Sequence, residues 1–293
     1  MISKHLKEVD PKFGRINEPY EAAEIVIAGI PLDLTSSYRT GSGLAPPKIR
    51  EASVNLETYI TPRLDIFESL HITDVGDLDL NGLDMATASK RIEELVGKIR
   101  NDGKIPVLFG GEHTLTYFSQ KAFKDAYVVH FDAHRDLRQE YRGETVCHAT
   151  VMRRILDETP PERLIQIGIR SCSKEEEEFA RENGLLSFTA EEVSDDIDST
   201  VSKVLKTIGS SPVYLSIDVD VLDPAFAPAL ATPEPGGLST LELVKVLRGL
   251  KKLKIQTFDV VEFAAPYDNE TTAFAAAKIT QEVLANIAES RDH

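Results

Sequence analysis

The chain has 293 residues, room for one large α/β domain or two smaller ones, and its 42% hydrophobic content supports a sizeable core. A net charge of −15 argues against a nucleic-acid or anionic-membrane surface and favours cationic partners. Only two cysteines occur, no apolar run approaches the ~20 residues of a bilayer span, and the N-terminal residues carry no signal-like apolar segment, so a soluble cytoplasmic protein is expected.

In chain order, short β-branched runs alternate with longer helical patterns. The runs predict strands over residues 25–32, 72–77, 105–109, 126–131, 164–169, 213–219 and 255–261. Helical spacing predicts helices over 45–55, 85–100, 115–124, 149–157, 174–182, 199–208, 240–249 and a long last one over 271–287. The charge run KEEEEF, residues 174–179, reads as a solvated helix face. With no repeat, low-complexity tract or Gly/Ser-rich linker, a single domain over residues 1–293 is the simplest organisation. Alternating β and α implies a parallel sheet covered on both sides by helices, with ligands beyond the carboxyl ends of the strands.

The chemically loaded residues fall at those ends. The third predicted strand runs into GGEHT (110–114), the fourth into HFDAHRD (130–136), the sixth is the SIDVD of SIDVDVLDP (216–224), and the seventh ends in DVVEF (259–263). In an extended chain Asp132, His134 and Asp136 point one way, as do Asp218 and Asp220. With His113 they make two imidazoles and four carboxylates, a mixed set suited to borderline-hard divalent cations such as manganese. Two such cations offset four crowded carboxylates. Strands disfavour aspartate, and a buried carboxylate is costly unless paired or bound to metal, so ligation accounts for SIDVD. Asp223, outside the alternation and before Pro224, shapes the turn. Taken singly, an Asp-Xaa-Asp usually just ends a strand; the three motifs together, each at a strand's carboxyl end, carry the inference.

GGEH, DAHRD and SIDVDVLDPAFAP, followed by ATPEPGGL and DVVEF, resemble the ureohydrolases, the family of arginases and agmatinases. GIPLDLTSSYRTGSGLAPPKIREAS also matches that family's early loop and helix, so the resemblance runs from about Ile25 to the end. It implies a three-layer α/β/α fold on a parallel sheet of about eight strands, the eighth at residues 185–188. It implies two Mn2+ per chain, one held by His113, Asp132, Asp136 and Asp218, the other by Asp132, His134, Asp218 and Asp220. It also implies a homotrimer or homohexamer acting on a small cationic guanidino substrate.

A guanidinium is a resonance-stabilised cation that resists neutral water, and a two-metal site lowers the pKa of water towards ~7. By the resemblance, Glu262 binds the guanidinium and His148 shuttles a proton to the departing amine, a task that histidine's pKa suits. Read alone, Glu262 is equally a strand-end salt-bridge partner and His148 an ordinary surface or core histidine. His130 reads as a satisfied core histidine, Cys147 as a bystander and Cys172 as structural; His5, His71 and His293 belong to no motif.

Two positions depart from the family pattern: Glu112, commonly aspartate or asparagine, and Arg135, commonly small. Arg135 adds positive charge near the site unless it points away across the pleat. Arginases recognise the α-carboxylate and α-amino groups with an Asn- and Ser-rich loop. Here that loop, residues 137–150, has neither, and carries Glu140 and Glu144. An acidic rim disfavours a carboxylate and favours the distal ammonium of agmatine, although Arg138 and Arg142 in the same loop oppose this. The expected reaction is hydrolysis of agmatine to urea and putrescine. Aminopropyl-agmatine, arginine, guanidinobutyrate and formimidoylglutamate stay open, as does a catalytically silent metal-binding regulator.

Overall fold

Along the strands, residues that read as continuous apolar runs divide between two cores. In β2 (Ile25–Ile30), counting from a two-residue β1 (Leu6–Lys7), Ile25 and Ile27 join one core while Val26, Ala28 and Ile30 join the other. Both faces of these strands are buried, so their sequences lack the apolar-polar alternation of a one-sided sheet. This computed structural model describes residues 4–16 and 18–290; His293 lies outside them.

A small hairpin of β3 (Tyr59–Ile60) and β4 (Leu64–Asp65) follows, and then β5 (Ile72–Leu78), β6 (Ile105–Gly110), β7 (Tyr127–Phe131), β8 (Leu164–Ile169), β9 (Leu186–Thr189), β10 (Pro212–Asp218) and β11 (Lys254–Val261). The main sheet has the order β1-β5-β2-β6-β11-β10-β7-β8-β9. Eight strands run parallel, and only β1 pairs antiparallel, with Leu6 opposite Leu78. The eighth parallel strand is β9, where the family resemblance placed it. The ninth was not expected: two residues leave no periodicity to read.

The helices are α1 (Ala45–Ser53), α2 (Ile66–Ser69), α3 (Met85–Asn101), α4 (Thr114–Gln120), α5 (Val151–Leu156), α6 (Lys174–Glu182), α7 (Ala190–Asp195), α8 (Ile197–Ile208), α9 (Thr240–Gly249) and α10 (Thr271–Ser290). Ile49 of α1, Val204 of α8, Leu247 of α9 and Leu284 of α10 pack in one core; Ile92 of α3, Leu115 of α4 and Ile155 of α5 pack in the other. The result is three layers, α/β/α. Ser173, Thr189 and Ser239 start α6, α7 and α9 with reciprocal capping boxes, satisfying N–H groups that the helices leave open. Among the described residues no helix is long and apolar enough to cross a membrane.

β6, β11, β10 and β7 lie side by side in the sheet. Their carboxyl ends carry GGEH, DVVEF, SIDVD and DAHRD, so the order of the sheet gathers the four motifs at one rim.

Candidate metal centre

Each motif leaves its strand in a different way. Gly111 runs so close to the early loop that a Cβ there would meet the Leu32 carbonyl oxygen at 1.8 Å. Its glycine lets the chain pass and turn, with the Glu112 N–H donating to Leu32 at 2.7 Å. That turn delivers His113 to the start of α4. β7 ends at Phe131, and the chain beyond it is not extended throughout: Asp136 has φ +53°. β10 ends at Asp218, and Val219–Val221 is a 3-10 turn in which the Asp220 N–H donates to Asp218 Oδ1 at 2.8 Å. The carboxylates do converge, but through turns rather than by strand alternation, which corrects the geometric expectation. A pleat alone spreads alternate side chains along a face; turns bring them to one point.

His113 Nδ1 lies 3.2 Å from Asp132 Oδ2, 3.2 Å from Asp136 Oδ2 and 3.4 Å from Asp218 Oδ2. His134 Nδ1 lies 2.9 Å from Asp220 Oδ2 and 3.4 Å from Asp132 Oδ1. Asp132 therefore faces one set with each oxygen. Burial lifts the Asp218 carboxyl well above its usual range, with Asp220 and Asp132 adding to it. Burial and then Asp132 push Asp136 up to about 6. Burial also opposes the charge on Asp132, yet His130, His113 and His134 outweigh it and hold that carboxyl well below the usual range. So many buried carboxylates call for positive charge.

The donor set fits a pair of divalent cations. His113 Nδ1 is buried and accepts no hydrogen bond, as a metal-binding nitrogen must be. Its other nitrogen, Nε2, lies 2.9 Å from Ser216 Oγ, which donates to Asp259 Oδ1 at 2.7 Å. Ser216 spends its proton on Asp259, so it accepts from Nε2–H and leaves Nδ1 bare. Tyr214 and Thr116 also donate to Asp259.

His130 belongs to the support, as expected of a satisfied core histidine. Gln166 Nε2 donates to Arg135 O and to His130 Nδ1, so His130 carries its proton on Nε2 and donates it to Asp132 Oδ2 at 2.7 Å. Gln166 Oε1 accepts from Arg135, whose guanidinium also pairs with Glu177 at 2.7 Å. Arg135 thus faces away from the cation site. Asp223 shapes the turn after the SIDVD motif, accepting from the N–H groups of Ala225 and Gly236.

The rim opens into a cleft of about 260 Å3 that exposes His113, His134, Asp136, Asp218 and Asp220 together with His148 and Glu262. Glu262 has φ +64° and accepts the His113 N–H at 2.6 Å. Burial, with Glu112 adding to it, raises this carboxyl well above its normal range. His148 sits between Thr35 and Ser37, each 3.2 Å from one ring nitrogen, with Tyr141 edge-on. Burial lowers its pKa to about 4.

Three readings of the rim need correction. Besides the aspartates of the metal centre and Glu262, the acidic groups lining the cleft are Glu176 and Glu234, not Glu140 and Glu144, which are exposed outside it. The run KEEEEF is not wholly solvated: Glu176 is buried and accepts from Leu137 N. Cys172 is exposed at the cleft rather than structural, whereas Cys147 is buried. Of the two opposing arginines, Arg138 faces Glu176 at 3.6 Å and Arg142 donates to Ser37 O. Sequence reasoning missed Ser216, Asp259, Gln166 and Thr35; the available signal was polar residues inside otherwise apolar strands at positions 166, 216 and 259.

The profile of the arginase family matches residues 23–285. An agmatinase from Bacillus anthracis is 38% identical over 280 residues, 93% of this chain and 94% of that protein. An N(1)-aminopropylagmatine ureohydrolase from Thermococcus kodakarensis is 40% identical over 263 residues, 88% of this chain and 89% of that one. Among solved structures, the agmatine ureohydrolase of Thermoplasma volcanium superposes with a TM-score of 0.89 at 39% identity, covering 96% of each chain.

Proposed function

The chain belongs to the arginase family of ureohydrolase enzymes, and on that premise we propose that it is a dimanganese enzyme hydrolysing agmatine to urea and putrescine. The observation that carries the reading is geometric: two His/carboxylate sets share Asp132 and face Glu262 and His148 across one cleft. His113, Asp132, Asp136 and Asp218 would hold one ion, and Asp132, His134, Asp218 and Asp220 the other. The ions would lower the pKa of water in the cleft towards ~7 and so supply the nucleophile.

The chain's own groups bind the substrate and manage its protons. Glu262 is fixed by the His113 N–H and offers its remaining acceptor sites to the planar guanidinium fork. A cation there restores the charge that burial disfavours. His148 delivers a proton to the amine nitrogen as its bond to the guanidinium carbon breaks. At the far end of the cleft, negative charge favours an ammonium over a carboxylate. Glu176 is already engaged by Arg138, while among the described residues no salt bridge holds Glu234. Arg170 clamps the Glu234 backbone carbonyl to that of Asp220, tying the main chain at Glu234 to the loop that carries the metal ligands. Glu234 is therefore the group we assign to the distal ammonium.

Aminopropyl-agmatine, with one further amine, suits the same carboxylates, and the resemblance to the Thermococcus relative favours it as the second reading. Catalytic efficiency on agmatine, aminopropyl-agmatine and arginine under matched manganese and pH separates the readings. Agmatine is expected to lead, and Glu234→Gln should cost it roughly tenfold or more while sparing an alkylguanidine that lacks the distal amine, since hydrogen bonds to charged groups contribute ~1.5–3 kcal/mol. Arginine matching agmatine would overturn the assignment.

A further inference from the structure

Glu112 is fully buried and accepts four hydrogen bonds: Leu34 N–H at 2.7 Å and Thr35 N–H at 2.5 Å on Oε2, and the hydroxyls of Thr114 at 2.7 Å and Thr35 at 2.9 Å on Oε1. Metal binding needs none of these, yet they hold the early loop against the turn that carries His113. Thr35 Oγ1 in turn touches His148 twice, lying 3.3 Å from its backbone N–H and 3.2 Å from ring Nδ1.

A hydroxyl has one proton. Thr35 gives its proton to the Glu112 carboxylate, so towards His148 its oxygen only accepts. The ring must then present Nδ1–H to Thr35, and the lone pair of the neutral imidazole falls on Nε2. Nε2 lies 3.2 Å from Ser37 Oγ, and Ser37 lines the cleft with His148. Arg142 Nη1 holds Ser37 by its carbonyl at 2.9 Å. The 35–37 segment therefore grips both nitrogens of the ring, with an acceptor at Nδ1 and a hydroxyl at Nε2.

We propose that Glu112, acting through Thr35, fixes His148 in the Nδ1–H tautomer, so that Nε2 beside Ser37 is the atom that exchanges the proton. Thr35 is a positioning residue: it stands behind His148 and is not among the residues that line the cleft. In the reaction the C–N electron pair leaves with the amine nitrogen, which takes the proton from Nε2 of the imidazolium. That proton originates in the attacking water, and the Nδ1 proton stays on Nδ1 throughout, donated to Thr35 Oγ1.

The proposal rests on His148 being the proton carrier, and the test separates the two. The experiment measures kcat, KM for agmatine and bound manganese in the parent, Thr35→Val, Thr35→Ser, His148→Asn and the Thr35→Val/His148→Asn double variant. Thr35→Val is expected to lower kcat roughly tenfold or more, because a wrong tautomer forfeits the proton transfer, with KM and metal content unchanged. Thr35→Ser should restore most of the rate, and the double variant should be no slower than His148→Asn. A parent-like His148→Asn would remove the carrier role itself. A slow His148→Asn beside a parent-like Thr35→Val would overturn the tautomer assignment alone. So would a Thr35→Val loss that persists in the His148→Asn background or that serine fails to restore.

Discussion

Ser216 sits between the imidazole of His113 and the carboxylate of Asp259, and its single proton decides which ring nitrogen is bare. Ser216→Ala leaves the proposed ligands untouched but frees the His113 tautomer. Manganese affinity is expected to fall ~10–100-fold, the usual scale for a lost partner behind a ligand, as read by metal titration; unchanged affinity would remove Ser216 from the design. Asp136 and Glu262 both occupy left-handed backbone conformations, at a cost of ~1–3 kcal/mol each for non-glycine residues. Such strain persists where the surrounding structure demands the side chain. Glu262→Gln keeps the backbone and an acceptor for the His113 N–H but loses the charge proposed to face the guanidinium. It should raise KM and lower kcat together while leaving manganese bound; a change in KM alone would confine Glu262 to binding. Both positions were readable from sequence as residue types, but their strained φ was not, because nothing local in HRD or VEF asks for it.

Helix α1 shows how an element is placed by one residue. Arg50 is fully buried and meets Asp74 at 2.7 and 3.0 Å and Asp77 at 2.6 Å, fastening α1 to β5, the strand next to the edge strand β1. Removing one partner of a buried ionic cluster strands the others, so Arg50→Met should destabilise the fold by ~3–5 kcal/mol in denaturant titration. A loss below ~1 kcal/mol would mean that Asp74 and Asp77 find other partners. The seven strands legible in the sequence all exist, because burial on both faces concentrates β-branched residues into runs. The elements that were not legible are short: β1, the β3–β4 hairpin, α2 and α7. Such short pieces leave too little periodicity to read, and β1 is held by a neighbour distant in sequence, with Leu78 opposite Leu6.

For the whole molecule, the carboxylates gathered at the sheet rim oppose folding unless cations neutralise them. A ligand that binds only the native state raises stability by mass action, so manganese at ~100 times its Kd should add ~2.7 kcal/mol. Thermal unfolding should shift upward with manganese and fall back with a chelator, and Asp218→Asn should lose the response. A melting temperature indifferent to manganese would count against a metal centre built into the fold.

The sequence by itself determined the alternating α/β architecture, the parallel sheet, and the identity of the residues that converge at its rim. Burial on both faces writes the first two into local composition, and chemistry restricts the third to a few residue types at strand ends. Only the tertiary structure decided the strand order that puts β6, β11, β10 and β7 side by side, and with it which oxygen of Asp132 faces which histidine. It also turned Arg135 away towards Glu177 and Gln166, and it put Glu176 and Glu234 at the cleft in place of Glu140 and Glu144. Those outcomes depend on hydrogen bonds between residues tens to hundreds of positions apart, such as Thr35 with His148. No local pattern encodes which of several chemically equivalent partners the fold will bring within reach.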